Sequence, residues 1–505
     1  MEKILIKNGK VFDGTGSPWY KADILVGDGK IEAMGHLPNA CADIVIDAAG
    51  LAVSPGFIDA HSHTDMTCYF APNVDGKIIQ GVTTEVSGMC GDSGFPVTKF
   101  MEKKNLATDL ALAVGHGKIR GTVMGFDDRE PTAAELDEMK ALLRESMEAG
   151  AIGLSSGLIY PPGCFAKTDE LIELCKVVAK YGGIYVTHMR DEANELLPAL
   201  EEAITIGRES GCKVQISHLK AYGKPNHGKA KLAMKRMEQA REEGIDITGD
   251  VYPYTAGSSG IVALLPKWAH EGGTKKLLER LKDKEQRRRI VEELSMDIPG
   301  WQNMVKSSGA ESILLCDLRE NKQYEGKTLR ELADIWGKEP ADTLIDVIIS
   351  EEGEGMMACF GACEEDNILI YQHRLTMVGS DSCALPCLPI EIMGKPHPRT
   401  YGTFARVLGH YCRDLKLFPL ETAVWKMTGF PATRYGLKDR GFLMAGKRAD
   451  IVIFDPETII DKATYENPFQ APEGIRYVIM KGEIVVEGRT YNEKGLGKPY
   501  RRNNQ

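Results

Sequence analysis

The chain has 505 residues, with 62 Lys and Arg against 72 Asp and Glu, a net charge of −10. That balance disfavours nucleic acid or an anionic membrane surface as the main partner and points to a small-molecule site. Length gives a prior of about two to four domains, and no run of about 18 apolar residues offers a membrane span. Twelve scattered cysteines and a charged start, MEKILIKNGK, with no apolar signal segment, read as a cytoplasmic protein with reduced thiols. Cys359/Cys363 and Cys383/Cys387 match the spacing of neither a zinc ribbon nor a redox pair and read as structural or incidental.

The first fifty residues are short strand-like runs cut by turns (KILIKNGKVF, ADILVGDGKIEAMG, DIVIDAAG), with Asp28-Gly29 as a hairpin signal. The same grammar returns near the other end in ADIVIFDPETI and RYVIMKGEIVVEG, where Lys481-Gly482 separates two apolar runs. Both ends together suggest one small β-sandwich domain, from residues 1–54 and 436–505. Between them, residues 55–435 alternate strand-like runs with helix-like segments such as AAELDEMKALLRESMEAG, the pattern of repeated βα units. Eight strands can be counted: GFIDAH, TTEVSG, LALAVGH, AIGLSSG, GIYVTH, KVQISH, IDITGDVY and LTMVGSD. Eight is the number a closed (β/α)8 TIM-like barrel needs. A charged, helix-rich stretch at about 256–345 interrupts the rhythm before the last strand and reads as an inserted subdomain over the barrel mouth, its charge run a solvated helix face.

Several strands stop at or just before a reactive side chain: His61, Cys90, His188, His218 and Asp381. Strand C-termini of such a barrel share one face, where its chemistry sits. His61 and His63 in DAHSH alternate along a strand and so share a side of it. Imidazole and thiolate suit zinc, and an acidic residue at 381 suits a proton shuttle beside an ion that lowers the pKa of water to about 7. His116 and Asp250 also end strands, with no role assigned. A competing motif, Gly153-Leu154-Ser155-Ser156-Gly157, fits the nucleophile elbow of a serine hydrolase, with Asp381 and His397 or His410 to complete a triad. The elbow needs a helix directly after the strand, and Pro161-Pro162 argues for a loop. It also leaves the histidine pair unexplained.

With these residues in hand the chain resembles the amidohydrolase superfamily, and within it the D-aminoacylase (N-acyl-D-amino-acid deacylase) family. The resemblance runs from Lys3 to about Gly488 through NGKVFDGTGSP, VSPGFIDAHSHTD, GVTTEVSGMCG, SSGLIYPPG, YVTHMRDE, VQISHLKAYG, DVYPYTAGS, MVGSD, HPRTYGTFARVLGHY and RGFLMAGKRADIVIFDP. It implies zinc-dependent cleavage of an N-acyl-D-amino acid. One zinc would be held tightly by Cys90, His188 and His218, and a second, weaker position would use His61, His63 and Asp381, with Asp381 also moving the proton. No lysine ends the fourth strand, so the bridging carboxylated lysine of many superfamily members has no counterpart there, and Cys90 supplies the anionic ligand. By the same resemblance Tyr160 polarises the scissile carbonyl, while Lys220 and Tyr252 meet the substrate carboxylate. Ring-opening of hydantoins or dihydropyrimidines, and an inactive scaffold of the same fold, are the alternatives. The side-chain pocket is expected to be shaped by the insertion and by the loop Ser382 to Lys395; oligomeric state is unread.

Overall fold

The computed structural model describes residues 2–389 and 393–502; residues 390–392, inside the expected pocket loop, lie outside them. All eight expected strands belong to one parallel sheet, in which each strand pairs with its successor: Phe57–Asp59, Val82–Ser87, Asp109–Gly115, Gly153–Gly157, Ile184–His188, Lys213–Ile216, Ile247–Val251 and Thr376–Val378. Every residue in them except Lys213 is buried. Such continuous burial explains why these strands read as unbroken apolar runs: one face fills the barrel and the other meets the surrounding helices. The first and last strands close the ring, Ala60 N–H donating to Val378 O at 3.1 Å and Asp381 N–H to His61 O at 2.8 Å.

The intervening helices begin and end where local chemistry dictates. Ala133–Ala149 starts at a reciprocal capping box between Thr132 and Glu135 and stops at Gly150, whose φ of +118° only glycine adopts readily. Leu196–Ser210 stops likewise at Gly211. None of the described helices is long and apolar enough to cross a membrane.

Strands from both chain ends share a second, nine-stranded sheet. Its junction is the antiparallel pairing of Ala52–Pro55 with Ile451–Phe454. Asp28-Gly29 and Lys481-Gly482 form its tight turns with positive φ at both residues, the backbone a two-residue hairpin requires. The sheet branches at Ile4–Val11, which pairs with Ile44–Asp47 along one half and Ala52–Pro55 along the other. It encloses an apolar core that includes Ile6, Ile24, Val53 and Ile451.

After the seventh barrel strand the chain departs into a three-stranded antiparallel sheet, Ala256–Gly260, Met356–Phe360 and Ile313–Asp317 in spatial order, with four longer helices and a core of its own. Against an expected end near residue 345, the excursion closes only at Phe360. The pairing partners Ala256–Gly260 and Met356–Phe360 stand far apart in sequence, so no local pattern announces them.

Barrel and terminal sheet are fastened at the opposite end from the mouth. Asp109, almost wholly buried at the start of the third strand, accepts from Arg440 Nη1 at 2.9 Å, Lys481 Nζ at 2.9 Å, the Lys498 N–H at 2.9 Å and Arg448. Burial opposes its ionisation, but Arg448, Arg440 and Lys481 together hold the carboxyl far below the usual range. Removing this anion strands buried cations, so Asp109→Ala is expected to cost about 3–5 kcal/mol in urea unfolding. A loss below about 1 kcal/mol, the range of exposed pairs, would show that the fastening is incidental.

Candidate metal centre

Three of the strand-ending residues, Cys90 (φ +53°), His218 (φ +32°) and Asp381 (φ +52°), adopt left-handed backbone that L-residues rarely take. Strain of this kind is retained where surrounding structure over-determines it, and here it falls on three side chains that meet. The ligand-type atoms of His61, Cys90, His218 and Asp381 lie within 4.8 Å of one another, and a second group, His188, Glu192 and His218, shares His218 with the first. Cys90 Sγ stands 3.5 Å from both His61 Nε2 and His218 Nε2, and His61 Nε2 stands 3.4 Å from Asp381 Oδ1. Around a tetrahedral ion with bonds of about 2.3 Å to sulfur and about 2.0 Å to nitrogen, ligand atoms stand roughly 3.4–3.6 Å apart. The separations therefore fit ligands gathered around one ion, or around two neighbouring positions with Cys90 between them. His188 adds an independent sign: it is buried, and among the described residues neither ring nitrogen has a partner within hydrogen-bond reach, Glu192 Oε2 standing 3.6 Å from Nε2. An imidazole in that state costs free energy unless something binds it. His63 approaches from the outer side, its Nε2 3.1 Å from Asp381 Oδ1.

Two carboxylates behind the rings set their orientation. Asp250 Oδ1 lies 3.0 Å from His61 Nδ1 and accepts the His218 N–H at 2.8 Å, while its Oδ2 accepts from Gln215 at 2.8 Å. Glu192 Oε1 lies 3.0 Å from His218 Nδ1. A proton held on each Nδ1 by these acceptors leaves Nε2 as a lone-pair donor facing the cluster. Burial alone would push the Cys90 thiol up; while no ion is bound, the His61 and His218 rings in their protonated form reverse this and hold it well below its usual range. Burial also opposes ionisation of Asp381, yet Arg399, whose Nη1 donates to Oδ2 at 2.8 Å, and the neighbouring histidines hold its carboxyl well below the carboxylate range.

On the substrate side, Tyr160 follows the fourth strand with its ring centroid 5.0 Å from that of His188, and its hydroxyl accepts from Ser259 Oγ at 3.3 Å. Burial, reinforced by the nearby Cys90, pushes its phenol well above the usual range, so it keeps a proton to donate. Lys220 is less free than its position on the strand end implied. Its ammonium donates to Glu192 Oε1 and Oε2 at 3.0 and 2.8 Å; burial opposes ionisation of Glu192, but Lys220 together with His188 and His218 holds it at about 2. Tyr252 lies between two cations, 5.7 Å from Lys220 Nζ and 4.8 Å from the Arg399 guanidinium, measured from the ring centroid. His116 is not part of the cluster; its Nε2 meets Glu170 at 2.7 Å.

The serine alternative finds no support. Ser155 Oγ accepts the Gly91 N–H at 3.2 Å, His397 is engaged by Ala256 O at 3.0 Å, and a turn rather than a helix follows the strand. Glu192, Asp250 and Arg399 were missed as functional residues by sequence reasoning. Asp250 carried a signal, its place at a strand end; the other two lie inside the HMRDE and HPRTYG motifs without a spacing that singles them out.

Comparison with known proteins agrees with this geometry. A model of the amidohydrolase family matches residues 44–281 and 377–486, so the unmatched stretch falls largely on the excursion. A D-aminoacylase from Alcaligenes xylosoxydans xylosoxydans is 36% identical, over 98% of this chain and 96% of its own. A solved D-aminoacylase, whose binuclear metal centre shows one-metal activation and second-metal attenuation, has a TM-score of 0.82 at 35% identity, covering 99% of both chains. An N-acyl-D-glutamate deacylase from Bordetella bronchiseptica, complexed with zinc and a phosphonate mimic of the tetrahedral intermediate, has a TM-score of 0.81 at 31% identity, again over 99% of both. The chain therefore belongs to the amidohydrolase family and, within it, to the D-aminoacylases.

Proposed function

We propose that this protein hydrolyses the amide bond of N-acyl-D-amino acids, yielding a carboxylate and a free D-amino acid, with zinc as its cofactor and the cytoplasm as its setting. The observation that carries the reading is the spacing of the ligand-type atoms of His61, Cys90, His218 and Asp381, joined by the unpartnered ring of buried His188. The D configuration and the linear amide are supported by the D-aminoacylase and the N-acyl-D-glutamate deacylase. Twelve cysteines, all unpaired, suit a reducing compartment.

Cys90, His188 and His218 would hold one ion, and His61, His63 and Asp381 a second position beside it; the D-aminoacylase with one-metal activation supports a single ion as sufficient. When bound, zinc supplies Lewis acidity, polarising a carbonyl and acidifying water to a pKa of about 7. The protein's own groups do the rest. Asp381, kept ionised and oriented by Arg399, takes a proton from the attacking water and delivers it to the amide nitrogen as the C–N bond breaks. Tyr160, protonated and buried, donates to the carbonyl oxygen as negative charge develops there. With the His218 Nδ1–H donating to Glu192, Nδ1 has no lone pair for Lys220 Nζ 2.8 Å away; two of the ammonium's three N–H groups serve Glu192, and the third is left for the substrate carboxylate beside Tyr252.

A panel of N-acetyl-D-amino acids, their L enantiomers and hydantoins tests the assignment directly. Hydrolysis is expected for the D series alone, lost with a chelator and restored by zinc; ring-opening of a hydantoin with the D series untouched would refute it. Asp381→Asn is expected to lower kcat by roughly 10²- to 10⁴-fold, the range for a positioned acid–base group. Near-parent turnover in zinc-loaded Asp381→Asn would remove it from the proton path. Tyr160→Phe, which deletes one donor to the oxyanion, is expected to lose about 10²- to 10³-fold in kcat with little change in zinc content; a defect confined to KM would assign the phenol to binding alone.

A further inference from the structure

Cys90 reaches the centre from a loop, residues 88–94, that turns through left-handed backbone at Gly88, Cys90 and Gly91. Such a segment has no strand ladder to fix it, yet the sulfur must sit within a fraction of an ångström for a metal site to work. One carboxylate spans the loop. Asp65, wholly buried, accepts from Ser87 Oγ at 2.7 Å and the Gly88 N–H at 2.9 Å on Oδ1, and from the Gly94 N–H at 2.8 Å on Oδ2. Both ends of the loop thus hang on one rigid group. Asp65 itself lies in Thr64–Thr67, directly after His61 and His63, so the same short segment that carries two imidazoles also sets the sulfur.

We propose that Asp65 is the positioning residue for the Cys90 sulfur, coupling its place to that of the histidine pair; this rests on the reading of Cys90 as a zinc ligand. A buried carboxylate served by hydroxyl and backbone donors is costly to desolvate, and its charge-assisted bonds are correspondingly strong and directional. The middle of the loop is braced separately, by Ser155 Oγ on the Gly91 N–H and Ser93 Oγ on the Gly115 N–H. Among the described residues, only Asp65 joins the loop's two ends.

In the full-length protein, Asp65→Asn sets an amide N–H group against one of these donors while keeping shape. Zinc affinity, measured by competition with a chromophoric chelator, is expected to fall roughly 10- to 100-fold, as for loss of outer-shell partners elsewhere. In the cobalt(II)-loaded protein, a thiolate-to-metal charge-transfer band present in the parent and absent in Cys90→Ala should be weakened or displaced in Asp65→Asn. A folded Asp65→Asn with parental affinity and an unchanged band overturns the proposal. A parent lacking any Cys90-dependent band overturns the ligand assignment itself, and with it this inference, and is recognised in the unaltered protein. Where Asp65→Asn does not fold, Ser87→Ala decides, since it removes one donor to the same oxygen: a loss of about three- to tenfold in zinc affinity is expected, and no loss overturns the proposal.

Discussion

The seam between the first and last barrel strands is the constraint on which the rest of the site depends. Along it Asp59 and Lys77, both fully buried, form an ion pair at 2.8 Å. Asp59 also takes the Ser380 and His61 N–H groups at 2.8 and 3.2 Å and the Ser380 hydroxyl at 2.6 Å, while Lys77 donates to Ser382 Oγ at 2.8 Å and to Ser380. A pair taken out of water is tolerable only when its remaining donors and acceptors are met, and here they are met by residues flanking His61 and Asp381. The pair thereby ties two chain segments more than three hundred residues apart to one register. A slip of one residue would turn His61 and Asp381 to opposite faces of the sheet.

From that seam the charge of the centre follows. Four acidic groups, the Cys90 thiol and the carboxyls of Glu192, Asp250 and Asp381, crowd the space around the imidazoles, against two fixed cations, Lys220 and Arg399. With the rings neutral the surplus is two negative charges, the amount one divalent cation cancels. The same accounting explains why Arg399 and Lys220 are placed on carboxylates rather than on sulfur. They neutralise carboxylates that lie against the rings, and leave the sulfur and the Nε2 lone pairs turned inward.

Much of this was legible in the sequence because a barrel writes itself as repeated apolar runs, and because His, Cys and Asp at the ends of such runs are unusual enough to stand out. The second layer was not. Glu192 acts through His218 Nδ1, and Asp250 through His61 Nδ1, contacts that depend on how strands twist around the ring. Nothing in one dimension separates such a carboxylate from one that merely ends a strand. Lys220 shows the converse: its strand position was readable, but the Glu192 partner that tempers its charge was not. Ser155, which mimics a nucleophile by motif, is a brace for the Cys90 loop in space. The excursion runs past the expected 345 because its closing strand, Met356–Phe360, is defined only by antiparallel partners at Ala256–Gly260 and Ile313–Asp317, too distant in sequence for a local pattern to show.

The excursion is folded around a core of its own yet reaches back to the centre through hydrogen bonds. Its first strand continues directly from the seventh barrel strand, so Tyr252 and the excursion share a root. From that root Ser259 reaches Tyr160, Ser258 O lies 3.4 Å from Arg399 Nη2, and Ala256 O engages His397, which Tyr465 of the C-terminal segment also touches at 3.2 Å. Farther along, Gln302 Oε1 accepts the Glu192 N–H at 2.8 Å. Each contact falls on a residue that holds, orients or neighbours the metal-ligand set, and none replaces a member of it. The excursion thus braces Tyr160, Arg399 and Glu192 from outside, while His61, Cys90, His188, His218 and Asp381 all stay at the strand ends of the barrel.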